Sequence, residues 1–325
     1  MVVETDILIV GGGMAGAATA YHLARQTAHR ILIVEQEPVP GVHSSGRNAA
    51  IIRERADDPI LQPLLTESAD QLRTGEWASF HRCGLALVGD GNQDVGRFFP
   101  RAAGRGRWYP DDGVIDVASL LQTYLKGLAI RYNTRVLQWT RQHDDIHVET
   151  SNGEIRCRWL INAAGPWAGD LGRLPLTPMN RHLFVTAPLG WVDSCWPCVW
   201  DGNVGLYFRP ESGGLLLSCC DESPAAPGDY EELPAVYDIL AEKISAAQPG
   251  LGDLAIRSSW VGQRTFAPDR RFVIGFDPRD NHVFHVAGLG GHGVTASFAV
   301  GRSAADLFLG KPSGHMNPFQ PARLY

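Results

Sequence analysis

The stretch Asp6-Ile7-Leu8-Ile9-Val10-Gly11-Gly12-Gly13-Met14-Ala15-Gly16, with the return run Ile31-Leu32-Ile33-Val34-Glu35, decides the fold of this chain. Ile7 to Val10 is the short apolar, β-branched run of a strand buried on both faces of a parallel sheet. Gly11-x-Gly13-x-x-Gly16 follows at once. The first glycine permits the tight turn, the second lets a pyrophosphate approach the backbone, and the third lets the next helix pack closely on its strand. The helix carries Ala17, Ala18, Ala20, Tyr21, Leu23 and Ala24, so its amino end, with free N–H groups and a positive dipole end, faces the phosphates. Glu35 closes the second strand about 20 residues beyond the glycines, where a carboxylate accepts hydrogen bonds from both hydroxyls of an adenosine ribose. Strand, glycines, helix, strand and acid in register point to a dinucleotide site. The acid disfavours a 2′-phosphate and so NADP, leaving NAD and FAD open.

The chain has 325 residues and a net charge of −6. That length supports two domains or one large α/β unit, and the mixed charge provides no basic stripe for nucleic acid. The opening residues lack a basic start and no apolar run is long enough to span a bilayer. The expectation is a soluble cytoplasmic protein, with peripheral contact at the inner membrane left open. Six cysteines are present: Cys83, Cys157, Cys195, Cys198, Cys219 and Cys220. Cys195-Trp196-Pro197-Cys198 has redox or zinc spacing, but no helix start follows it and the adjacent pair 219–220 suits a zinc site poorly. Ordinary buried thiols and no metal are expected.

Further along, His43-Ser44-Ser45-Gly46-Arg47-Asn48 supplies hydroxyls and a guanidinium suited to phosphate oxygens, or else is a polar loop leading into a helix. Helical spacing runs from Asp58 to Phe80, a strand from Cys83 to Val88, and the Gly-, Arg- and Pro-rich segment Asp90–Asp112 reads as loop. Asp116 is the expected N-cap of a helix to Ala129. Strands follow over Arg135–Trp139, Ile146–Thr150 and Ile155–Ala163, with a hairpin turn at Ser151-Asn152-Gly153. Leu183–Ala187, Val204–Phe208, Leu215–Cys219 and Ile256–Thr265 read as antiparallel strands, with a helix over Glu232–Ala247. Val283–Ala287 returns to the buried parallel type and leads through Gly288-Leu289-Gly290-Gly291-His292-Gly293 into a helix from Val294 to Leu309.

With these segments in place the chain resembles the D-amino-acid oxidase and glycine oxidase superfamily of FAD-dependent amine oxidoreductases over nearly its full length. Five motifs carry the resemblance in family order: the opening fingerprint with Glu35, the 43–48 segment, Ile161-Asn162-Ala163-Ala164-Gly165-Pro166-Trp167, Trp260-Val261-Gly262-Gln263-Arg264, and Gly290-Gly291-His292-Gly293. The resemblance implies FAD rather than NAD. It implies an α/β fold in which a discontinuous Rossmann-type FAD-binding domain (1–82, 110–175 and 265–325) carries an inserted antiparallel-sheet substrate-binding domain (83–109 and 176–264).

The resemblance also assigns roles. Gly11, Gly13, Met14, Ala15 and Gly16 would meet the pyrophosphate, and Glu35 and Gln36 the adenosine ribose. His43, Ser44, Ser45, Arg47, Asn48 and Ala49 would line the pyrophosphate and ribityl chain. Val136 would approach the adenine through its backbone, and Ala164, Gly165 and Trp167 would pack along the cofactor. Gly290, Gly291, His292, Gly293, Val294 and Thr295 would bring N–H groups to the flavin ring, where charge develops on reduction. Arg264 would grip a substrate carboxylate bidentately, or is a surface strand arginine. Arg53 would help it, or forms a surface salt bridge. Tyr207, with Arg209, is a pocket candidate or part of an outward-facing strand pair. His292 would touch substrate or flavin, or caps a helix.

The departures bear on activity. The 43–50 segment resembles D-arginine dehydrogenase-like members, yet Ile51 and Ala56 replace the His and Tyr that those carry. Leu85 to Val88 lacks an acid for a basic side chain. In the sarcosine-oxidase-like members a lysine activates oxygen at the position matching Leu216, and a cysteine attaches flavin in the segment matching 264–268. Neither is present. Non-covalent FAD and a D-amino acid dehydrogenase-like enzyme are expected. Its substrate is an amino acid or amine and its electron acceptor a quinone or oxygen. The rivals are a sarcosine/glycine oxidase-type enzyme and a non-catalytic or partner-dependent flavoprotein.

Overall fold

The computed structural model describes residues 2–312 and 314–325. Its first sheet is built on Val3–Val10, which pairs in parallel with Gly153–Asn162 on one side and Ile31–Val34 on the other. Ala129–Arg131 extends the sheet beyond Ile31–Val34, and Asp280–Ala287 with Val273–Asp277 extends it beyond Gly153–Asn162. Register places Ile9 between Ile33 and Ile161, and Val10 between Val34 and Asn162. Since side chains alternate along a strand, Ile7 and Ile9 enter a large core with the helices Met14–Ala24 and Ser297–Phe308. Leu8 and Val10 enter a second core under the antiparallel ribbon Val136–Gln142, Asp145–Thr150 and Gly153–Asn162. Gly301 lets the two helices touch, because a Cβ there would lie 2.6 Å from the backbone of Ala18.

The second sheet runs in the order Ser223–Pro224, Thr177–Thr186, Gly214–Ser218, Leu206–Glu211, Cys198–Asp201, Leu85–Asp94, Arg105–Tyr109, with Ile256–Phe266 also paired to Thr177–Thr186. Helix Ala235–Ala247 buries Val236, Leu240 and Ile244 against it. The sheet is not wholly antiparallel, because Cys198–Asp201 runs parallel to Leu85–Asp94. A three-stranded ribbon of Ile51–Ile52, Gly113–Ile115 and Phe80–His81 stands apart from both large sheets.

Several further expectations change. Asp90–Asp112 is not loop: Leu85–Asp94 continues through it and pairs with Arg105–Tyr109. Its glycines serve strand contact, since a Cβ on Gly106 would lie 2.1 Å from the Leu87 carbonyl oxygen, and Phe98 stacks on Trp108 at 4.4 Å. The helical segment from Asp58 shortens to Gln62–Leu72, with Gly75 at φ +79 beyond its end. The last helix begins at Ser297 rather than Val294, because Gly290–His292 forms a 3-10 turn after Gly290 at φ +53. Asp116 caps its helix as expected, accepting from the Ser119 N–H at 3.0 Å, but the helix ends at Leu125 rather than Ala129, because Gly127 at φ +79 turns the chain into the strand Ala129–Arg131. Among the described residues no helix is long and apolar enough to cross a membrane.

Candidate functional site

A cavity of about 750 Å³ runs from the glycine turn past the ribbon 134–141 on one side and toward Arg264 and the loop 288–294 on the other. Its size falls in the range of small-molecule and cofactor sites. At the turn, Gly11 has φ +106 and donates to the Val34 carbonyl at 2.8 Å. A Cβ there would lie 2.4 Å from the Ala163 oxygen, so only glycine fits. Gly16 lies behind the wall, where a Cβ would meet the Gly11 oxygen at 2.0 Å, and so serves helix–strand contact.

The Glu35 carboxylate is fixed from two sides. Oε2 accepts from Gly12 N at 2.8 Å and Oε1 from Glu37 N at 3.0 Å, which leaves further lone pairs on a carboxylate that lines the cavity. Gln36 and Val136 line the same end. Met14 N, one of the free donors at the helix start, donates to Ser45 Oγ at 2.9 Å, so a hydroxyl from a distant loop sits on the helix end. Ser44 Oγ is buried without a hydrogen-bond partner among the described residues, an orphan on the cavity wall. Asn48 is aimed by its own turn, donating to Ser45 O at 2.6 Å and accepting from Ala50 N at 2.7 Å. His43 is held between Tyr230 Oη at 2.6 Å and Glu37 Oε1 at 2.8 Å, with its ring against Trp167. Burial pushes the Tyr230 hydroxyl up to about 12.

On the far wall Arg264 is 6% exposed, and its Nη2 and Nη1 donate to the backbone oxygens of Arg47 (3.0 Å) and Gln263 (3.1 Å). It forms no ion pair with a carboxylate of the described residues. Desolvation, the dominant influence, lowers its pKa to about 10, Tyr207 opposing and Arg181 reinforcing that shift. The result is a buried, unneutralised cation lining the cavity, an arrangement that favours an anion. Thr265 follows it, with a buried Oγ1 that also lacks a partner.

The expected site residues divide. Gly11, Gly13, Met14, Ala15, Glu35, Gln36, His43, Ser44, Ser45, Asn48, Val136, Ala164, Gly165, Trp167, Arg264, Gly290, Gly291, Gly293 and Val294 line one cavity. Gly16, Arg47, Ala49, Arg53, Tyr207, His292 and Thr295 do not. The Arg47 guanidinium is committed to the Val42 and Val261 carbonyls and the Tyr230 ring. Arg53 is buried over Trp200 and its guanidinium forms an ion pair at 3.4 Å with the exposed carboxylate of Asp57. Tyr207 faces inward and stacks on Trp200 at 4.7 Å, while Arg209 donates to Ala49 O. His292 sits near Phe272, its pKa lowered to about 4 by burial first and by Arg53 second. Thr295 Oγ1 donates to Ile51 O, at 3.3 Å. The sequence reading missed Thr265 and Gln263. Strand position was the available signal, since both flank or follow Arg264. Among the described residues no cluster could hold a metal ion.

These residues fit FAD. The helix end and the unpartnered Ser44 hydroxyl suit a pyrophosphate, the fixed Glu35 carboxylate suits ribose hydroxyls, and the glycine cradle admits close approach of a ligand.

Comparison with known proteins agrees. A bovine (Bos taurus) FAD-dependent oxidoreductase domain-containing protein 1 is 23% identical over 99% of this chain and 85% of its own length. Several longer relatives also match over nearly all of this chain, which spans only about half of their length. Among solved structures, L-proline dehydrogenase from P. horikoshii has a TM-score of 0.87 at 20% identity, covering 99% of this chain and 98% of that one. Glycine oxidase from Geobacillus kaustophilus has a TM-score of 0.82 at 23% identity, covering 99% of each. The model described as DAO, FAD dependent oxidoreductase, matches residues 6–104 and 90–307, and the chain therefore belongs to that family of FAD-dependent oxidoreductases.

Proposed function

We propose that the chain oxidises an amino acid or a related amine with non-covalently held FAD, as a D-amino acid dehydrogenase-like enzyme. The observation that carries this reading is Arg264, a buried cation on the cofactor cavity whose remaining donors meet no carboxylate among the described residues. In this reading its guanidinium takes the substrate carboxylate, and the Arg47 and Gln263 carbonyls hold it in position. Ser44, Ser45 and the start of helix Met14–Ala24 hold the pyrophosphate, and Glu35 holds the ribose. When bound, the flavin supplies the acceptor for a hydride from the carbon bearing nitrogen, giving an imine that hydrolyses to a keto acid. The chain's own residues contribute orientation and exclusion of water more than proton transfer. The second sheet, in segments 83–109 and 176–264, is assigned to substrate and the remainder to cofactor. The names of the two solved neighbours, a proline dehydrogenase and a glycine oxidase, support an amino-acid substrate.

A dehydrogenase is preferred because the position matching the oxygen-activating lysine by resemblance is Leu216, an apolar side chain buried beside Tyr207, Leu183 and Val185. A partner-dependent flavoprotein is the second reading, favoured by the placement of Arg53, Tyr207 and His292 off the cavity. The test is anaerobic bleaching of the FAD-loaded protein by D- and L-amino acids, N-methylglycine and amines lacking a carboxylate. Bleaching by a carboxylate-bearing amine is expected, with faster turnover on a dye than on oxygen. A flavin that stays oxidised with every candidate overturns the enzymatic reading.

A further inference from the structure

The spacing of Cys195 and Cys198 points to the right residue but the wrong partner. Cys195 is exposed, whereas Cys198 is buried and opens the strand Cys198–Asp201. It stands opposite Leu85 and donates its N–H to Gly84 O at 3.0 Å. Cys83 immediately precedes that glycine, whose φ of +79 turns the chain at the start of the neighbouring strand. The Cys83 Sγ lies 3.7 Å from Gly84 O, and both cysteines belong to one apolar cluster with Leu85, Leu87 and Trp200. Gly84 holds this arrangement tightly, since a Cβ there would enter the Trp108 ring.

The two thiols differ. Cys83 is half-buried and Cys198 fully buried. The Cys198 thiol is the first influence on Cys83, lowering its pKa to about 7, with help from the Cys198 and Cys83 N–H groups and from Arg209. Cys198 is pushed well up, first by the facing Cys83 side chain and then by burial. A stabilised thiolate beside a thiol that stays protonated is the pairing of a nucleophile with a resolving group. We propose that Cys83 and Cys198 form a redox site at which a hydroperoxide oxidises Cys83 and Cys198 resolves the product to a disulfide. The Cys83 sulfur attacks a peroxide oxygen, the O–O bond breaks, and the departing alkoxide or hydroxide takes up a proton. Cys83 is then a sulfenic acid. The Cys198 sulfur displaces its hydroxyl, which leaves as water with the Cys198 proton. The net change is two thiols and one hydroperoxide to one disulfide, one alcohol or water, and one water. The disulfide ties Cys198–Asp201 to the start of Leu85–Asp94 and needs neither the flavin nor the amine substrate.

The test treats the FAD-loaded full chain with stoichiometric hydrogen peroxide, blocks free thiols with iodoacetamide, and maps peptides by mass. Wild type is expected to lose two hydrogens and yield a Cys83–Cys198 cross-linked peptide that dithiothreitol reverses. Cys198→Ser should instead give a dimedone adduct on Cys83, and Cys195→Ser should keep the wild-type cross-link. A cross-link through Cys195, Cys219 or Cys220, or a Cys83 that stays fully alkylatable after peroxide, overturns the proposal. So does Cys198→Ser with no adduct on Cys83.

Discussion

The glycine turn and the Arg264 wall face the same cavity but are built from different materials. At the turn the wall is built on the short segment holding Val10, Gly11, Gly13, Met14 and Ala15, whose geometry follows from which positions lack a Cβ. At Arg264 it is a long side chain whose direction is set by a carbonyl 217 positions away in the chain and by a strand pairing with Met179. In the proposed reading the first wall holds its ligand through fixed dipoles in peptide groups. The second would do so through a single charge that burial makes expensive to leave alone. This contrast predicts that lesions at the turn remove the cofactor, whereas lesions at Arg264 spare the cofactor and remove the substrate.

The largest expected effect is Gly11→Ala. The new Cβ meets the Ala163 oxygen, and the φ of +106 is hostile to any L side chain, so backbone strain of about 1–3 kcal/mol is added to the clash. The variant should purify without FAD and fail to bind it on titration, and a yellow Gly11→Ala protein would break the contrast.

Arg264→Met comes next. Loss of a charge-assisted bidentate grip worth about 2–5 kcal/mol should lower kcat/KM for a carboxylate-bearing substrate by at least about 30-fold. FAD content should be unchanged, and an amine lacking the carboxylate should lose much less. Equal losses for both substrates would mean that Arg264 shapes the wall without touching substrate.

Ser44→Ala should be milder. The Ser44 hydroxyl has no partner among the described residues, so its removal should leave the FAD-free protein as stable as before, while FAD affinity falls by about 1 kcal/mol, roughly fivefold. Isothermal titration and thermal unfolding of the two forms separate these outcomes.

A separate effect, outside the site, is on acid stability. His22, with its pKa lowered from 6.5 to about 4 chiefly by burial, is packed against Phe298 in the cofactor half. Across that window the unfolded chain binds more protons than the folded one. The contribution is fully present above about 6.5 and is lost as pH falls toward 4. Replacing His22 with Gln should flatten that slope in denaturant unfolding measured at several pH values. An unchanged slope would assign acid lability elsewhere, His292 being the next group to test.

The same contrast explains what could be read from the sequence. The turn, the first two strands, Glu35 and the Asp116 cap were legible because each depends on neighbours in sequence and on glycine or apolar periodicity. The strand Arg105–Tyr109 was not, because its glycines read as punctuation while in three dimensions they let strands touch. Arg47, Arg53 and Tyr207 were placed in a site by motif. Their directions are decided by the Val261 carbonyl and Trp200, which approach only once the second sheet is formed, and for Arg53 also by Asp57 four positions on. The Cys83–Cys198 pairing was hidden for the same reason. It depends on a parallel strand pair joining segments more than a hundred residues apart, beside a more conspicuous C-x-x-C spacing.

The most direct measurement is titration of the FAD-loaded protein with a simple carboxylate that cannot be oxidised, such as acetate or a methylthio-substituted analogue, followed by the flavin absorption spectrum. Saturable perturbation of the spectrum is expected in wild type and should vanish in an Arg264→Met variant that retains its FAD. If that variant binds the carboxylate as wild type does, Arg264 is not the anion site beside the cofactor and the account is contradicted.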